Sequence, residues 1–180
     1  MKATGIVRRI DDLGRVVIPK EIRRTMRIRE GDPLEIYTDR DGQLIFKKYS
    51  PIGELADYAA QICDSMKKST DSITAICDRD SVIAIAGGAK RELLNKPVSQ
   101  KLSEIMDSRS IFRQTGSGCC FAVSPEDEKY CIAIAAPILS EGDIVGCMLF
   151  ISPRNASPAS ELDFRLAQAL AGFLGKQIEA

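Results

Sequence analysis

The sequence predicts two domains: a β-rich N-terminal module over residues 1–50 and an α+β domain with a largely antiparallel sheet over residues 51–180. Short β-branched segments surround one brief helix in the first fifty residues, whereas apolar strands alternate with helical patterns beyond them. Ser50-Pro51 interrupts the chain between the two regions. A length of 180 residues accommodates two small domains, and a hydrophobic fraction of 44% is enough to form a core.

The N-terminal module is predicted to consist of short strands around one helix. Its expected elements, in order, are strands at 4–10 and 15–18, a helix over 20–26, and strands at 34–38 and 43–48. Pro19 ends the second strand and suits the first turn of a helix, where its missing N–H has no cost. Asp41-Gly42 between two apolar runs is a strong signal for a hairpin.

A module of this size is too small to be stable on its own core. Below about 70–80 residues a single core usually needs a disulfide, a metal or association with another chain. Residues 1–50 contain neither cysteine nor histidine, so the first two are unavailable. We therefore expect an obligate homodimer through residues 1–50, in which strands pair between the two chains.

The C-terminal domain is predicted to begin and end with long amphipathic helices. Apolar residues recur at intervals of three and four along 52–68, at Ile52, Leu55, Ala59, Ile62 and Met66. A final helix over 158–178 carries a broad apolar face that includes Leu166, Leu170 and Phe173. Both helices have more apolar surface than one packed face requires, so we expect them to pack together and to join two dimers into a tetramer.

Two hairpins and two short helices are expected between these long helices. The hairpins pair 73–77 with 82–86 and 130–139 with 143–151, and the helices cover 90–94 and 99–106, the second opened by Ser99 as its cap. The intervening loop over 109–128 is predicted to act as a lid. The order of these elements is typical of an α+β domain.

The composition argues against catalysis. The chain has no histidine, which excludes Ser-His-Asp and Cys-His arrangements and every zinc site that contains histidine. The six cysteines lack paired C-x-x-C spacing, so no metal and no cofactor are expected. Cys119 and Cys120 are not expected to bridge each other, and Cys63, Cys77, Cys131 and Cys147 are predicted to be small buried hydrophobic residues.

The net charge of zero conceals an uneven distribution. Residues 1–50 carry twelve basic and eight acidic side chains, while residues 51–180 carry thirteen and seventeen. This asymmetry favours a basic module that meets a polyanion, although short charge clusters are also common on solvated surfaces. The longest apolar run, 131–139, is too short to cross a membrane, and residues 1–5 lack the apolar core of a secretion signal. We expect a cytoplasmic, nucleoid-associated protein with no membrane partner.

Arginine side chains are the candidate DNA contacts. A guanidinium group suits both phosphate and the edge of guanine, and no helix-turn-helix pattern is present, so contact would run through strands, loops and the short helix. The candidates are Arg8, Arg9, Arg15, Arg23 and Arg24, with Lys20 and Lys2 as additions. Arg27, Arg29 and Arg40 are interpreted as solubilising residues.

The segment Ala3–Arg24, with its core Gly14-Arg15-Val16-Val17-Ile18-Pro19 followed by Glu21-Ile22-Arg23-Arg24, closely resembles the AbrB family of bacterial transition-state regulators. The resemblance continues through Leu34–Tyr37 to about residue 50, and the chain as a whole resembles regulators in which such a module precedes a GAF-like domain. It implies a swapped-hairpin β-barrel dimer that binds double-stranded DNA through Arg8, Arg15, Arg23 and Arg24. It also implies a transcription regulator of sporulation genes, an activator or a repressor, and leaves open whether the GAF-like domain senses an unidentified small molecule.

Two alternatives remain at this stage. An antitoxin with the same N-terminal fold would also bind DNA, but its tail is usually short, extended and acidic, unlike the globular pattern of residues 51–180. A ligand-binding or enzymatic GAF-type domain with an incidental basic arm would respond to a ligand without binding DNA.

Overall fold

The computed structural model describes residues 4–70, 72–115, 120–154, 156 and 159–179. The chain divides into two compact units, Met1–Tyr49 and Ser50–Ala180. No helix within the described residues is both long enough and apolar enough to span a bilayer.

The N-terminal unit contains one short helix and one hairpin. Helix α1 spans Lys20–Thr25, and strands β1 (Leu34–Thr38) and β2 (Leu44–Lys48) pair antiparallel. At the turn between the strands, one carboxylate oxygen of Asp39 accepts hydrogen bonds from the backbone N–H groups of Asp41 and Gln43. The predicted helix and hairpin are therefore confirmed.

The strands predicted at 4–10 and 15–18 are not found. Neither segment forms a regular strand, although the turn between them closes through hydrogen bonds from Asp11 N–H to the Arg15 carbonyl and from Gly14 N–H to the Asp11 carbonyl. A strand needs a neighbouring strand for its backbone groups. The described part of this single chain supplies none beside 4–10 or 15–18, so β-branched composition alone does not make these segments regular.

The C-terminal unit is a five-stranded antiparallel sheet with helices on both faces. Its elements are α2 (Pro51–Glu54), α3 (Ala56–Ser69), β3 (Ile73–Cys77), β4 (Val82–Ala86), α4 (Lys90–Leu93), α5 (Gln100–Asp107), β5 (Phe112–Arg113), β6 (Tyr130–Ser140), β7 (Asp143–Pro153) and α6 (Glu161–Glu179). The strand order is β4-β3-β7-β6-β5, with every neighbouring pair antiparallel. This architecture confirms the α+β prediction.

Two helix boundaries differ from the predicted ones. The helix expected over 52–68 is divided into α2 and α3 at Leu55, which leaves the helical conformation with φ −94° and ψ 21°. The last helix begins at Glu161, and Ser157 and Pro158, which were expected to open it, lie outside the described residues. Ser99 caps α5 as predicted, because its hydroxyl accepts a hydrogen bond from Leu102 N–H.

Each face of the sheet carries its own apolar cluster. Helices α4 and α5 cover one face, where Leu93, Leu102 and Met106 are fully or almost fully buried. Helices α2, α3 and α6 cover the other face, around Phe150 and Leu174. Because both faces are covered, β6 and β7 are apolar along nearly their whole length and do not alternate between polar and apolar residues.

Helix α6 lies unusually close to the sheet at one point. Gly175 is buried there, and a Cβ added to it would overlap the backbone carbonyl of Leu139 in β6. Only glycine leaves room for this approach of helix to strand.

The loop predicted as a lid over 109–128 is partly incorporated into the sheet. It contains β5, and Gln114 N–H donates to the Ala133 carbonyl of β6. Further along, Ala122 bridges to Cys131, and Ile132 N–H donates to the Phe121 carbonyl. Residues 112–114 and 121–122 of this segment thus lie beside β6 at the edge of the sheet. A lid that opens freely would not be hydrogen-bonded to the sheet in this way.

Candidate nucleic-acid interface

The candidate DNA contacts occupy two elements of the N-terminal unit. Arg8, Arg9 and Arg15 flank the turn at 11–14, whereas Lys20, Arg23 and Arg24 belong to α1. All of them are exposed except Arg23, which is half-buried, and Lys2 lies outside the described residues. Exposed guanidinium groups on the turn and on the helix are available to meet an anionic partner.

Asp11 organises the turn that carries Arg15. One of its carboxylate oxygens accepts hydrogen bonds from the backbone N–H groups of Arg15, at 2.7 Å, and Leu13, at 3.0 Å. The other oxygen accepts a hydrogen bond from Arg15 Nε at 2.8 Å. The backbone hydrogen bond from Arg15, followed by the one from its side chain, lowers the pKa of Asp11 below its usual 3.8.

The role of Asp11 was missed at the sequence level. The signal was present, because aspartate at the start of a tight turn commonly accepts hydrogen bonds from the backbone two residues on. The arrangement leaves 69% of the Arg15 side chain exposed while holding it at the turn. Arg15 is thus anchored locally and still accessible from solvent.

Helix α1 ends abruptly after its arginines. Met26 N–H donates to the Ile22 carbonyl, Ile28 N–H donates to the Arg23 carbonyl at 2.7 Å, and Arg27 adopts a left-handed conformation with φ 53°. Lys48 of β2 fixes this end, since its Nζ donates to the Arg27 carbonyl at 2.9 Å and pairs with Asp32 at 3.3 Å. The helix is therefore tied to the hairpin of its own unit, an attachment that no local sequence pattern indicates.

The apolar side chains of the N-terminal unit do not form a core within the chain. None of the described residues from 4 to 49 is buried. Thirteen large apolar side chains there are exposed: Ile6, Val7, Ile10, Leu13, Val16, Val17, Met26, Ile36, Tyr37, Leu44, Ile45, Phe46 and Tyr49. Exposed apolar surface on this scale marks an interaction site.

The residues proposed for assembly of the C-terminal unit fall into two groups. Ile52 and Ala59 are completely buried against their own sheet, so the expectation that they contact another copy is wrong. Leu55, Ile62, Met66, Leu166 and Leu170 are half-buried, and 46% of Phe173 is exposed. The Phe173 ring contacts Tyr58 of α3, with the ring centroids 6.4 Å apart.

The cysteines also fall into two groups. Cys63, Cys77 and Cys147 are free and buried, as predicted, and burial raises the pKa of the Cys63 thiol to about 12. Cys131 was expected to be a free buried residue as well, but it forms a disulfide with Cys120. Connectivity of this kind depends on the fold and cannot be read from spacing. No group of three or more side chains suited to a metal occurs in the described part of the chain.

An exposed basic module joined to an antiparallel sheet with helices on both faces defines the class of two-domain proteins in which an AbrB-type module precedes a GAF-type domain. Residues 54–179 match the family model described as stage V sporulation protein T C-terminal, transcription factor. Residues 7–54 match the model described as antidote-toxin recognition MazE, bacterial antitoxin. The chain belongs to the stage V sporulation protein T family.

Individual relatives agree with this assignment. Stage V sporulation protein T of Bacillus subtilis is 48% identical over 179 residues, which cover 99% of each chain. Transition state regulatory protein AbrB of the same organism is 57% identical over 63 residues, 32% of this chain and 65% of that protein. A GAF domain/HD domain protein from Geobacter sulfurreducens, 14% identical, superposes with a TM-score of 0.53 over 71% of this chain and 95% of that one, a similarity of fold alone.

Proposed function

We propose that this protein is a DNA-binding transcription regulator of bacterial sporulation genes, and that it is not an enzyme. The observation that carries the proposal is the exposure of the N-terminal unit, where basic and apolar side chains are both accessible in the single chain. The apolar surface calls for a second copy, and the basic surface calls for an anionic partner. Membership of a family described as a transcription factor supports the same function.

In the proposed dimer, residues 1–50 of two chains form one swapped-hairpin β-barrel. Segments 4–10 and 15–18 are rich in β-branched residues but form no strand by themselves. Pairing with the partner chain would supply their missing backbone hydrogen bonds and would bury the exposed apolar residues. Each barrel would then present two copies of every arginine.

DNA binding would rest mainly on contacts with phosphate. Arg8, Arg15, Arg23 and Arg24 are the principal proposed contacts, with Arg9, Lys20 and Lys2 contributing less. Each contact between a cation and a phosphate releases counterions, so the affinity falls steeply as salt increases. Phosphate contacts fix the position of the protein on the duplex, and any preference for sequence comes from contacts with base edges or from DNA shape.

The C-terminal unit is proposed to join two dimers into a homotetramer. Its half-buried and exposed residues on α3 and α6 would form the contact: Leu55, Ile62, Met66, Leu166, Leu170 and Phe173. The GAF-type fold is also compatible with sensing a small molecule. The proposed location is the cytoplasm, in association with the nucleoid.

The experiment that tests DNA binding compares Arg15→Ala with Arg40→Ala across a range of salt concentrations. Each dimer of the first variant loses two phosphate contacts, so the slope of log affinity against log salt should fall by roughly two. Arg40→Ala is the matched control, because it removes an exposed arginine of the same unit that was assigned to solubility. Equal slopes for Arg15→Ala and the unmodified protein would remove Arg15 from the interface.

The structure of the C-terminal unit argues against one alternative, and the DNA measurements test the other. The tail of an antitoxin with this N-terminal fold is usually short and extended, whereas residues 51–179 carry a sheet covered by helices on both faces. A GAF-type ligand-binding protein without a DNA function would show no salt-dependent affinity for duplex DNA, with or without Arg15.

A further inference from the structure

We propose that the Cys120–Cys131 disulfide is a reversible redox modification site, at which a low-molecular-weight thiol exchanges with the bond by attacking Cys120. The site lies in the C-terminal unit, and the inference does not depend on DNA binding. Both sulfurs sit at the edge of the sheet where residues 120–124, here called the edge strap, run beside β6.

The two sulfurs differ in their access to solvent. Cys131 lies in β6 and has no exposed surface, whereas Cys120 at the start of the edge strap is half-buried. Their Cα atoms are 5.2 Å apart, a normal separation for a disulfide. Because an attacking thiolate must reach one sulfur along the line of the bond, the exposed side of Cys120 is the point of entry.

The exchange is a two-electron reduction. A thiolate attacks Cys120 Sγ and the bond between the cysteines breaks. Its electron pair passes to Cys131 Sγ, which takes up a proton. A second thiolate then attacks the sulfur of the small thiol in the mixed disulfide, and Cys120 Sγ leaves as a thiolate and takes up a proton. The products are two cysteine thiols and one molecule of the oxidised small thiol. A low-molecular-weight disulfide re-forms the Cys120–Cys131 bond through the same steps in reverse.

The bond fastens a segment that has few other attachments to β6. The strap contacts β6 through the hydrogen bond from Ile132 N–H to the Phe121 carbonyl, at 2.8 Å, and the bridge between Ala122 and Cys131. It is tied to the start of α5 by Ser99, whose hydroxyl donates to the Ala122 carbonyl at 2.7 Å and whose N–H donates to the Val123 carbonyl at 2.8 Å. Reduction would remove the covalent link and leave these hydrogen bonds and the apolar packing of Phe121 and Val123 to hold the strap.

A looser edge strap would also disturb β5, the strand at this edge of the sheet. The Phe121 ring packs against Phe112 of β5, with the centroids 5.4 Å apart. The next residue, Arg113, donates to Glu161 and to the Ala159 carbonyl, and its guanidinium lies over the Phe164 ring, 5.5 Å from the centroid. The strap is therefore connected through β5 to the first turn of α6.

The test uses the full-length protein equilibrated in buffers of reduced and oxidised glutathione. Mass spectrometry of alkylated peptides should find a Cys120–Cys131 linkage that opens and re-forms as the buffer is changed. After brief reduction, Cys120 should be alkylated about tenfold faster than Cys131, because the reaction follows exposure of the thiolate. Hydrogen exchange at residues 121–124 should accelerate on reduction, while exchange in β7 stays unchanged.

Three cysteine variants test whether the response to glutathione depends on this disulfide. Cys120→Ser should remove the response to glutathione altogether, and Cys131→Ala should leave Cys120 able to take up one glutathione. Cys63→Ala is the matched control, because Cys63 is a free, buried cysteine that takes no part in the disulfide. The proposal is overturned by a linkage through Cys119, by a bond that does not re-form, or by strap exchange that reduction leaves unchanged. If Cys131→Ala fails to fold, Cys120→Ser and the unmodified protein still decide the question.

Discussion

The two units of this protein use apolar residues in different ways. In the C-terminal unit, apolar side chains from both faces of one sheet meet helices of the same chain and are buried there. In the N-terminal unit, none of the described residues from 4 to 49 is buried, although β-branched and aromatic residues are plentiful. Apolar content therefore does not by itself define a core; the chain must also supply the surface that covers it.

Separating the two units should give the largest effect. A fragment of residues 50–180 should stay folded and unfold in one cooperative transition even at concentrations at which it is a monomer, because its core is complete within one chain. A fragment of residues 1–50 should unfold at a midpoint that rises with concentration, because folding and association are coupled in a dimer without a stable monomer. Circular dichroism over a hundredfold range of concentration would measure both. A concentration-independent, monomeric N-terminal fragment would contradict the comparison.

A pair of phenylalanine substitutions tests burial within the C-terminal unit. Phe150→Ala removes a completely buried ring, so it should lower the free energy of unfolding by about 3–5 kcal/mol. Phe173→Ala is the matched control, since 46% of this side chain is exposed and its removal should have a much smaller effect on unfolding of the isolated unit.

The same control also tests the proposed tetramer. Sedimentation of full-length Phe173→Ala at micromolar concentration should show dimers where the unmodified protein forms tetramers. Tetramers in both proteins would exclude Phe173 from the assembly surface. Dimers in both proteins would contradict the proposed tetramer.

The smallest expected effect concerns the turn at Asp11. Its lowered pKa means that the folded state favours the charged carboxylate, so the stabilisation is present above the usual 3.8 and is lost as pH falls through the folded value. An NMR titration should place the midpoint of the Asp11 carboxyl below 3.8. Asp11→Asn should abolish this titration, whereas Asp12→Asn should preserve it. A midpoint at or above 3.8 would mean that the Arg15 hydrogen bonds are absent in solution.

The same contrast explains what the sequence could predict. The three hairpins, the Ser99 cap and the antiparallel C-terminal sheet follow from local signals, such as Asp41-Gly42 and long apolar runs, that act within one chain. Segments 4–10 and 15–18 look like strands but depend on pairing that the single chain does not provide. The Cys120–Cys131 bond and the attachment of Lys48 to α1 join residues distant in sequence, and local patterns carry no information about either.

The candidate site was predicted in part. The arginine-rich segment identified Arg8, Arg9, Arg15, Arg23 and Arg24, and the structure leaves all but Arg23 exposed. Spacing could not distinguish residues that contact another copy from residues that pack in the core of their own unit. An apolar stripe at intervals of three and four is the same in both cases. Ile52 and Ala59 face the core of their own unit, while Phe173 retains exposed surface.

The absence of a side chain at Gly175 limits how helix α6 can move along the sheet. A slide of α6 by one turn would put Ala171 or Glu179 where Gly175 meets the Leu139 carbonyl, and neither residue could occupy that space. A shift of the helix by four residues along its strand is thus excluded. A conformational change in this domain must therefore tilt the last helix or move other elements rather than shift the helix by four residues along its axis.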